Sequence, residues 1–470
     1  MPPKRKLNDD AAVEKDGDTG GSEGDSEGEA GGASHQSREI LSSAASSTST
    51  SRRFSIKRVS SGRSSGSSNG SLSSAALVNL RQAYEENWRV YTGQNWVLPS
   101  GVTLDEVVYR YVLGLTYEST LHSFVINDVE EILQLAQDPL DKEVLQIALD
   151  RPRDDTVWTL PDVEKRYLQL YDMTPALMEE MMWHGGGGVW DAATKKVEDK
   201  EEGKDVTTAV LPDKDFCKLT HELANSLFMV YERNKLTIPD FKSESWYREN
   251  LWALLHILLN VKNTLSYEPG EYHSRASGHR KNSRRKTAQE KQQVGRKTDG
   301  IITCVLPALE LGAMEAAKED PAGPKSTKAL MDGLKLAKTL KDQIDMIREM
   351  LTTGGEEAIR QLATYGLLIA GGTISFYTLQ LQDGRFYQFT CQGTVTLPSK
   401  WMPDGDNTTC ILTVVASLLS FRRQIVDMAV KIRKWTKHNY ELPKPAGALC
   451  TDIPATIKTP TLSPKPLPTA

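Results

Sequence analysis

The chain has 470 residues, enough for two or three domains, and carries a formal net charge of −5 with 25% charged residues. A sum this close to neutral excludes a protein that binds polyanions over its whole surface. What matters for function is therefore where the charges lie along the chain.

Cysteine spacing and the length of the apolar runs exclude two further classes of protein, those built around zinc or disulfides and those that span a membrane. The five cysteines are scattered and have no CxxC spacing, so neither a zinc ribbon nor a disulfide framework is expected. No apolar stretch follows Met1, and the longest apolar run, Cys410–Phe421, is too short to cross a bilayer. We expect a soluble intracellular protein without a membrane partner.

Residues 1–76 cannot supply a hydrophobic core, because Ser, Gly, Asp, Glu and Lys dominate them. We expect this tail to be disordered. Lys4, Arg5 and Lys6 form a basic triplet typical of a nuclear-import signal, which predicts an import receptor as partner and a nuclear location. The alternative is a chance triplet in a charged tail. Arg-Arg-x-Ser at Ser55 suits a basophilic kinase, and phosphate there would cancel local positive charge.

Residues 77–238 show a mainly helical pattern. Leu77, Leu80 and Trp88 recur at near-helical spacing, and Thr103 is placed to cap a second helix. The segments 129–136 and 160–170 are also amphipathic. A Gly run followed by Lys and Glu residues predicts a flexible insertion near 184–206. We interpret this part as a helical module.

Residues 239–440 mix helices and strands. The pattern predicts a helix over 241–261 capped by Ser243, a long helix after Ser326 and a last helix over 409–437. Three strands over 365–370, 373–381 and 385–397 predict a β-meander, with turns at Gly371-Gly372 and Asp383-Gly384. The Pro/Thr-rich residues 441–470 are expected to be disordered.

A basic stretch precedes a predicted β-hairpin in this second part. It contains Arg280, Lys281, Arg284, Arg285, Lys286, Arg296 and Lys297. These side chains would neutralise phosphates in a sequence-independent way. Few aromatic residues interleave with them, so we favour contact with the backbone of a duplex over base stacking. A solvated loop is the alternative.

The hairpin itself, residues 295–318, carries Asp299 at the head of its first strand and Glu310 in the second. Two carboxylates on neighbouring strands are suited to hold Mg²⁺, which takes one or two carboxylates plus waters and substrate phosphates. Glu315 is a further candidate if a bulge re-aims it. The alternative is that these acids are solvated or structural.

The order of helix with Glu244, strand with Asp299, strand with Glu310 and then a helix is that of the restriction-endonuclease-like, or PD-(D/E)XK, fold. The segments LTYESTLHSFVIND, SESWYRENLW, GEYHSRASGHRKN and GRKTDGI…LELGAMEAAK together resemble a group of fungal proteins with such a nuclease-like domain, related to modules of crinkler-type proteins. The resemblance spans about residues 77–440.

This resemblance implies that Glu244, Asp299 and Glu310 are the metal-site acids, with Asp299 and Glu310 also catalytic. The family places a lysine two residues after the second acid, where this chain has Gly312. The resemblance makes Lys318 the fourth member of the site, with a catalytic role. Lysines of the following helix are alternatives, namely Lys328, Lys335 and Lys338.

The sequence therefore predicts an α/β protein, with the helical module followed by a restriction-endonuclease-like mixed sheet flanked by helices. The function it favours is Mg²⁺-dependent cleavage of nucleic acid, with duplex DNA favoured over RNA, in the nucleus. One alternative is an inactive nuclease fold that binds DNA or protein. Another is a signalling protein in which the phosphorylatable tail and the helical module carry the function.

Overall fold

A computed structural model describes residues 72–149, 160–170, 214–235, 237–238, 243–283, 285, 287, 290–317, 327–351, 355–382, 384–401, 406–436 and 456. All of them belong to one structural unit that begins at Ser55. The predicted insertion near 184–206 lies outside the described residues, as do the predicted tails apart from 72–76 and Thr456.

Helices dominate the N-terminal part, as predicted. They are α1 (Ser74–Val90), α2 (Leu104–Gly114), α3 (Val129–Leu135), α4 (Pro139–Leu149) and α5 (Asp162–Leu170), with a two-residue strand β1 (Val125–Ile126) before α3. The backbone N–H of Glu106 donates to Thr103 Oγ1 at 3.4 Å, which confirms the predicted cap of α2. Leu80, Tyr84 and Leu104 are buried in a core of their own.

The remaining elements alternate helices with strands. The helices are α6 (Lys214–Arg233), α7 (Glu244–Trp246), α8 (Leu254–Leu259), α9 (Arg275–Ser283), α10 (Thr327–Met350), α11 (Gly355–Gln361) and α12 (Asp406–Trp435). The strands are β2 (Leu265–His273), β3 (Lys297–Cys304), β4 (Leu309–Ala317), β5 (Ala363–Ala370), β6 (Thr373–Leu381) and β7 (Tyr387–Thr396). The predicted hairpin, meander, long helix and last helix are all confirmed.

Two local features differ from the sequence expectation. The predicted helix over 241–261 begins as expected, since the N–H of Trp246 donates to Ser243 Oγ at 3.2 Å, but a π-helical turn over Tyr247–Leu251 interrupts it. The basic stretch, for which no helix was predicted, contains the helix α9. That helix has no apolar periodicity, so its position depends on contacts with other parts of the chain.

The strands form one seven-stranded mixed sheet in the order β1-β7-β6-β5-β4-β3-β2. The strands β2, β3 and β4 are antiparallel neighbours, and so are β5, β6 and β7. The strand β5 runs parallel to β4, and the long helix α10 makes the crossover between them. The fold is therefore a mixed α/β sheet flanked by helices, as predicted.

The two long helices lie on opposite faces of this sheet. Thr364 and Tyr365 are successive residues of β5, so their side chains point to opposite faces. The Thr364 hydroxyl donates to the carbonyl of Leu340 in α10 at 3.1 Å, and the Tyr365 hydroxyl donates to the carbonyl of Gln424 in α12 at 3.2 Å. The strand β4 is buried along its whole length, so charged groups on it need partners.

The N-terminal helices join the sheet at its β7 edge. The strand β1 pairs with β7 in parallel, and Arg385 Nε forms an ion pair with Asp105 Oδ1 at 2.7 Å. The Arg385 guanidinium also lies 3.9 Å from the ring centres of Trp88 and of Tyr91. The described residues on both sides of position 238 thus share one sheet, and the division into a helical module and a nuclease-like domain stays a prediction.

None of the helices in the described ranges combines the length and apolar character that crossing a bilayer requires.

Candidate functional site

Asp299 lies half-buried in β3, close to the end of β4. Its Oδ2 atom accepts a hydrogen bond from the backbone N–H of Ala316 at 2.8 Å. The β3–β4 register pairs Gly300 with Met314, so its continuation by one residue places Asp299 opposite Glu315. Directly opposed residues of an antiparallel pair carry their side chains on the same face. The cross-strand partner of Asp299 is therefore Glu315.

Glu310, the expected partner of Asp299, lies elsewhere. It is buried at the start of β4, where Oε2 accepts from Ser274 Oγ at 2.6 Å and from the N–H of Ala276 at 3.3 Å, while Oε1 accepts from the N–H of Arg275. These donors form the first turn of α9, whose free N–H groups need acceptors. The structure corrects the predicted pairing, since both Glu310 oxygens hold α9 in place.

A register shift in the hairpin explains why both glutamates face the same side. Ile302 pairs with Gly312, whereas Thr303 pairs with Glu310, so β4 carries one extra residue at this point. The extra residue reverses the alternation, and Glu310 and Glu315 both face α10, near Gln343 and Lys335 respectively. A Cβ atom on Gly312 would lie 2.6 Å from the carbonyl oxygen of Tyr365, so only glycine fits here without movement.

Glu315 is the most deeply buried acid of the hairpin, with 1% exposure. Its Oε2 atom contacts Lys335 Nζ, while Oε1 has no hydrogen-bond partner among the described residues. Burial raises the pKa of Glu315 to about 8, because desolvation outweighs the attraction of Lys335 and the nearby carboxylates of Asp299 and Asp332 add to it. A buried carboxylate oxygen without a donor is a potential ligand for a cation.

Two more acids and another lysine surround this pair. Lys328 Nζ lies 3.6 Å from Glu244 Oε2, so the third predicted acid is at the periphery of the cluster. Burial raises the pKa of Asp332, and the proximity of Asp299 and Glu244 contributes, against Lys328 and Lys335. Four acids and two lysines thus lie close together at this end of the hairpin. We call Glu244, Asp299, Glu315, Asp332, Lys328 and Lys335 the acid cluster.

The acid cluster offers a metal ion few protein ligands. Within the described ranges, no group of three His, Cys, Asp or Glu side chains is arranged to hold a metal ion. Mg²⁺ nevertheless requires only one or two carboxylates when waters and substrate phosphates complete its octahedron. The carboxylates of Asp299 and Glu315 fit that description. The Oε1 atom of Glu315 has no hydrogen-bond partner among the described residues.

The lysines named as alternatives to Lys318 all lie on α10. Lys318 lies outside the described residues. Of the alternatives, Lys335 contacts Glu315, Lys328 pairs with Glu244, and Lys338 is fully buried against Glu118. Lys335 is thus the lysine that the structure brings to the Asp299–Glu315 pair.

The predicted phosphate-binding side chains divide into two groups. Arg280 and Arg296 are largely buried and face Asp342 of α10. Lys281, Arg285 and Lys297 are exposed or half-buried and contact the Val294 carbonyl, the Glu290 carbonyl and the Glu271 carboxylate respectively. Arg284, Lys286 and the triplet Lys4, Arg5 and Lys6 lie outside the described residues.

Sequence reasoning missed Asp332 and Asp342. Both lie on α10, where Lys335, Lys338 and Asp342 recur at helical spacing of three and four residues along the sheet-facing half of the helix. Charged residues at positions that a helical pattern places in the core can be recognised in a sequence. They indicate buried ion pairs, because each requires a partner there.

Comparison with protein-family models, with curated proteins and with solved structures found no match to this chain. The resemblance to nuclease-like proteins therefore stays a prediction from the sequence. Function must be argued from the contacts, burial and charge of the described residues.

Replacement of Glu310 by alanine should destabilise the fold without touching the Asp299–Glu315 pair. It would leave the Ser274 hydroxyl and the N–H groups of Arg275 and Ala276 without their acceptor, at a cost of about 2–4 kcal/mol. Urea unfolding measures the change. The control, Glu271→Ala, removes an exposed ion pair with Lys297 and should unfold like wild type. Equal unfolding midpoints for all three proteins would refute the capping role.

We expect the stability of the folded protein to fall as pH rises, because of the raised pKa of Glu315. Its folded pKa of about 8 exceeds the ordinary value of 4.5, so between these values the folded state holds a proton that the unfolded chain has lost. The contribution of Glu315 to stability is thus lost as pH increases through this window. Glu315→Gln should unfold about 2–4 °C above wild type at alkaline pH and equally at acidic pH, by thermal scanning. A difference independent of pH would contradict the assignment.

Proposed function

We propose that this protein is a divalent-cation-dependent phosphodiesterase that acts on nucleic acid, with its site at Asp299, Glu315 and Lys335. The observation that carries the proposal is the pair of opposed carboxylates on β3 and β4, one of them buried with an oxygen that lacks a donor. Lys335 contacts this buried carboxylate. Glu310, by contrast, has both of its carboxylate oxygens occupied by donors at the start of α9.

The topology around Asp299 and Glu315 supports the same function. A helix segment with Glu244 leads into three antiparallel strands, and α10 then crosses over to the parallel strand β5. This is the order of elements expected from the resemblance to restriction-endonuclease-like proteins. A shared order of elements does not determine function, so the function depends on the residues of the site.

The chemistry assigns a separate task to each residue. Bound Mg²⁺ supplies charge stabilisation at the phosphate and lowers the pKa of a coordinated water. Asp299 and Glu315 would hold the cation, and the hydrogen bond from the N–H of Ala316 fixes the Asp299 carboxylate. Glu315 must lose its proton to serve as a ligand, which the charge of the cation favours. Lys335, released from Glu315, would orient the attacking water or a phosphate oxygen.

The substrate we favour is duplex DNA in the nucleus. The exposed side chain of Lys297 stands at the start of β3, two residues before Asp299, and Lys281 lies on the neighbouring helix α9. Side chains of this kind contact phosphates and carry no sequence information. The triplet Lys4, Arg5 and Lys6 would supply nuclear import.

A second candidate function has an observation in its favour. Lys335 is engaged with Glu315, and burial favours the protonated, uncharged form of that acid. A site that keeps this state would bind no cation. The protein would then be an inactive nuclease fold that binds DNA or another protein.

A cleavage assay tests the proposal. Supercoiled plasmid and a linear duplex are incubated with Mg²⁺ or Mn²⁺ and with wild type, Asp299→Asn, Glu315→Gln or Lys335→Met. We expect metal-dependent cutting that falls about 100-fold or more in each variant. Glu106→Gln, an exposed change in helix α2, is the control and should cut like wild type.

The outcomes separate the two candidates. Cutting that survives in Glu315→Gln would show that the site lies elsewhere. If wild type is inert but binds duplex with an affinity that falls steeply with salt, the inactive scaffold is the correct reading. Loss of cutting in Glu106→Gln as well would indicate a general effect on folding.

A further inference from the structure

Asp332, in the second turn of α10, carries a buried acceptor atom without a donor. Its Oδ2 atom is shielded from water and has no hydrogen-bond partner among the described residues. Two lysines flank it on the helix, Lys328 four positions before and Lys335 three positions after, and both are within electrostatic range of its carboxylate. A buried carboxylate oxygen without a donor costs free energy, so its presence here requires an explanation.

Neither flanking lysine forms an ion pair with Asp332, since each is paired with another acid. Lys335 contacts Glu315 of β4, whereas Lys328 Nζ lies 3.6 Å from Glu244 Oε2. The two pairs differ in their exposure to water. The side chains of Lys328 and Glu244 are 49% and 38% exposed, but the Glu315 side chain is 1% exposed. Lys335 is therefore the lysine that a cation at the buried carboxylate would displace.

Lys335 can reach Asp332 without any movement of the helix. Residues three positions apart lie on the same side of a helix, and long side chains lean toward its N-terminus. Asp332 is N-terminal to Lys335, which is also the favourable order of an acid and a base along a helix. A change in the rotamer of Lys335 would therefore transfer its ammonium from Glu315 to the Oδ2 atom of Asp332.

A cation held by Asp299 and Glu315 favours this transfer. The Lys335 ammonium contacts Oε2 of Glu315, so two positive charges would lie side by side if it stayed there. Transfer to Asp332 separates these charges and frees both oxygens of Glu315. An ammonium has three N–H groups, so Lys335 held by Asp332 can still donate to the attacking water or to a phosphate oxygen.

We propose that Asp332 receives Lys335 when a divalent cation binds, so that Lys335 contacts Glu315 in the free protein and Asp332 in the cation-bound protein. The inference rests on the proposed function for the cation that displaces the lysine. Asp332 is a positioning residue, because it acts through Lys335 and contacts neither cation nor substrate. The lysine thus restrains cation binding, and Asp332 relieves that restraint.

The test measures Mn²⁺ binding to the full chain without nucleic acid, from the electron paramagnetic resonance signal of free Mn²⁺. Asp332→Asn removes the charge that receives the ammonium and should weaken Mn²⁺ binding about tenfold. Lys335→Met removes the competitor for Glu315 and should bind Mn²⁺ at least as tightly as wild type. Asp332→Glu keeps the charge and should stay within about threefold of wild type. Glu106→Gln, an exposed change in α2, is the control.

A double variant, Asp332→Asn with Lys335→Met, separates a positioning role from a direct one. If Asp332 acts through Lys335, its effect on Mn²⁺ affinity should shrink to less than about twofold once Lys335 is replaced. A direct role of Asp332 as a ligand would give the same weakening in both backgrounds and would overturn the proposal. An Asp332→Asn protein that binds Mn²⁺ like wild type would overturn it as well.

This inference and the proposed cleavage fail separately. Mn²⁺ binding with the predicted coupling but without any cutting of DNA would support the lysine transfer and refute the phosphodiesterase. Cutting at Asp299 and Glu315 with no effect of Asp332→Asn on Mn²⁺ affinity would refute the transfer alone.

Discussion

Removing charged side chains from water costs free energy, and this cost shapes the packing around α10. The helix α10 carries charged side chains into the interior, where each needs a partner of opposite sign. Lys335 contacts Glu315 of the sheet, Lys338 contacts Glu118 from the N-terminal helices, and Asp342 faces Arg280 of α9. One helix thus ties together the sheet, the N-terminal part and the basic stretch. One of these pairs, Lys335 with Glu315, leaves a buried carboxylate oxygen without a donor among the described residues.

A register shift of one residue gives the two glutamates of the hairpin different surroundings. The extra residue of β4 turns both Glu310 and Glu315 toward α10. Glu310 then meets the first turn of α9, where three donors satisfy it, whereas Glu315 meets one lysine and keeps an oxygen without a donor. Two glutamates five positions apart in one strand therefore differ in the task that their surroundings allow.

Much of the fold was predictable, because it depends on local patterns. The β5–β7 meander follows from alternating apolar residues and from turns at Gly371 and Gly384, both of which have positive φ. The helix α9 was not predictable, since its cap comes from Glu310, 36 positions beyond Ser274. The position of Glu315 opposite Asp299 depends on the register shift of the hairpin, which no local pattern reveals. The pairing of Arg280 with Asp342 is likewise a contact between distant parts of the chain.

The most direct test of the central claim is to locate a cation in crystals grown with Mn²⁺. The anomalous scattering of manganese identifies its position independently of activity. The account predicts an anomalous peak between the carboxylates of Asp299 and Glu315, with the Lys335 ammonium moved away from Glu315. A crystal with Mn²⁺ bound elsewhere, or with the Lys335–Glu315 contact intact and no peak beside it, would contradict the account.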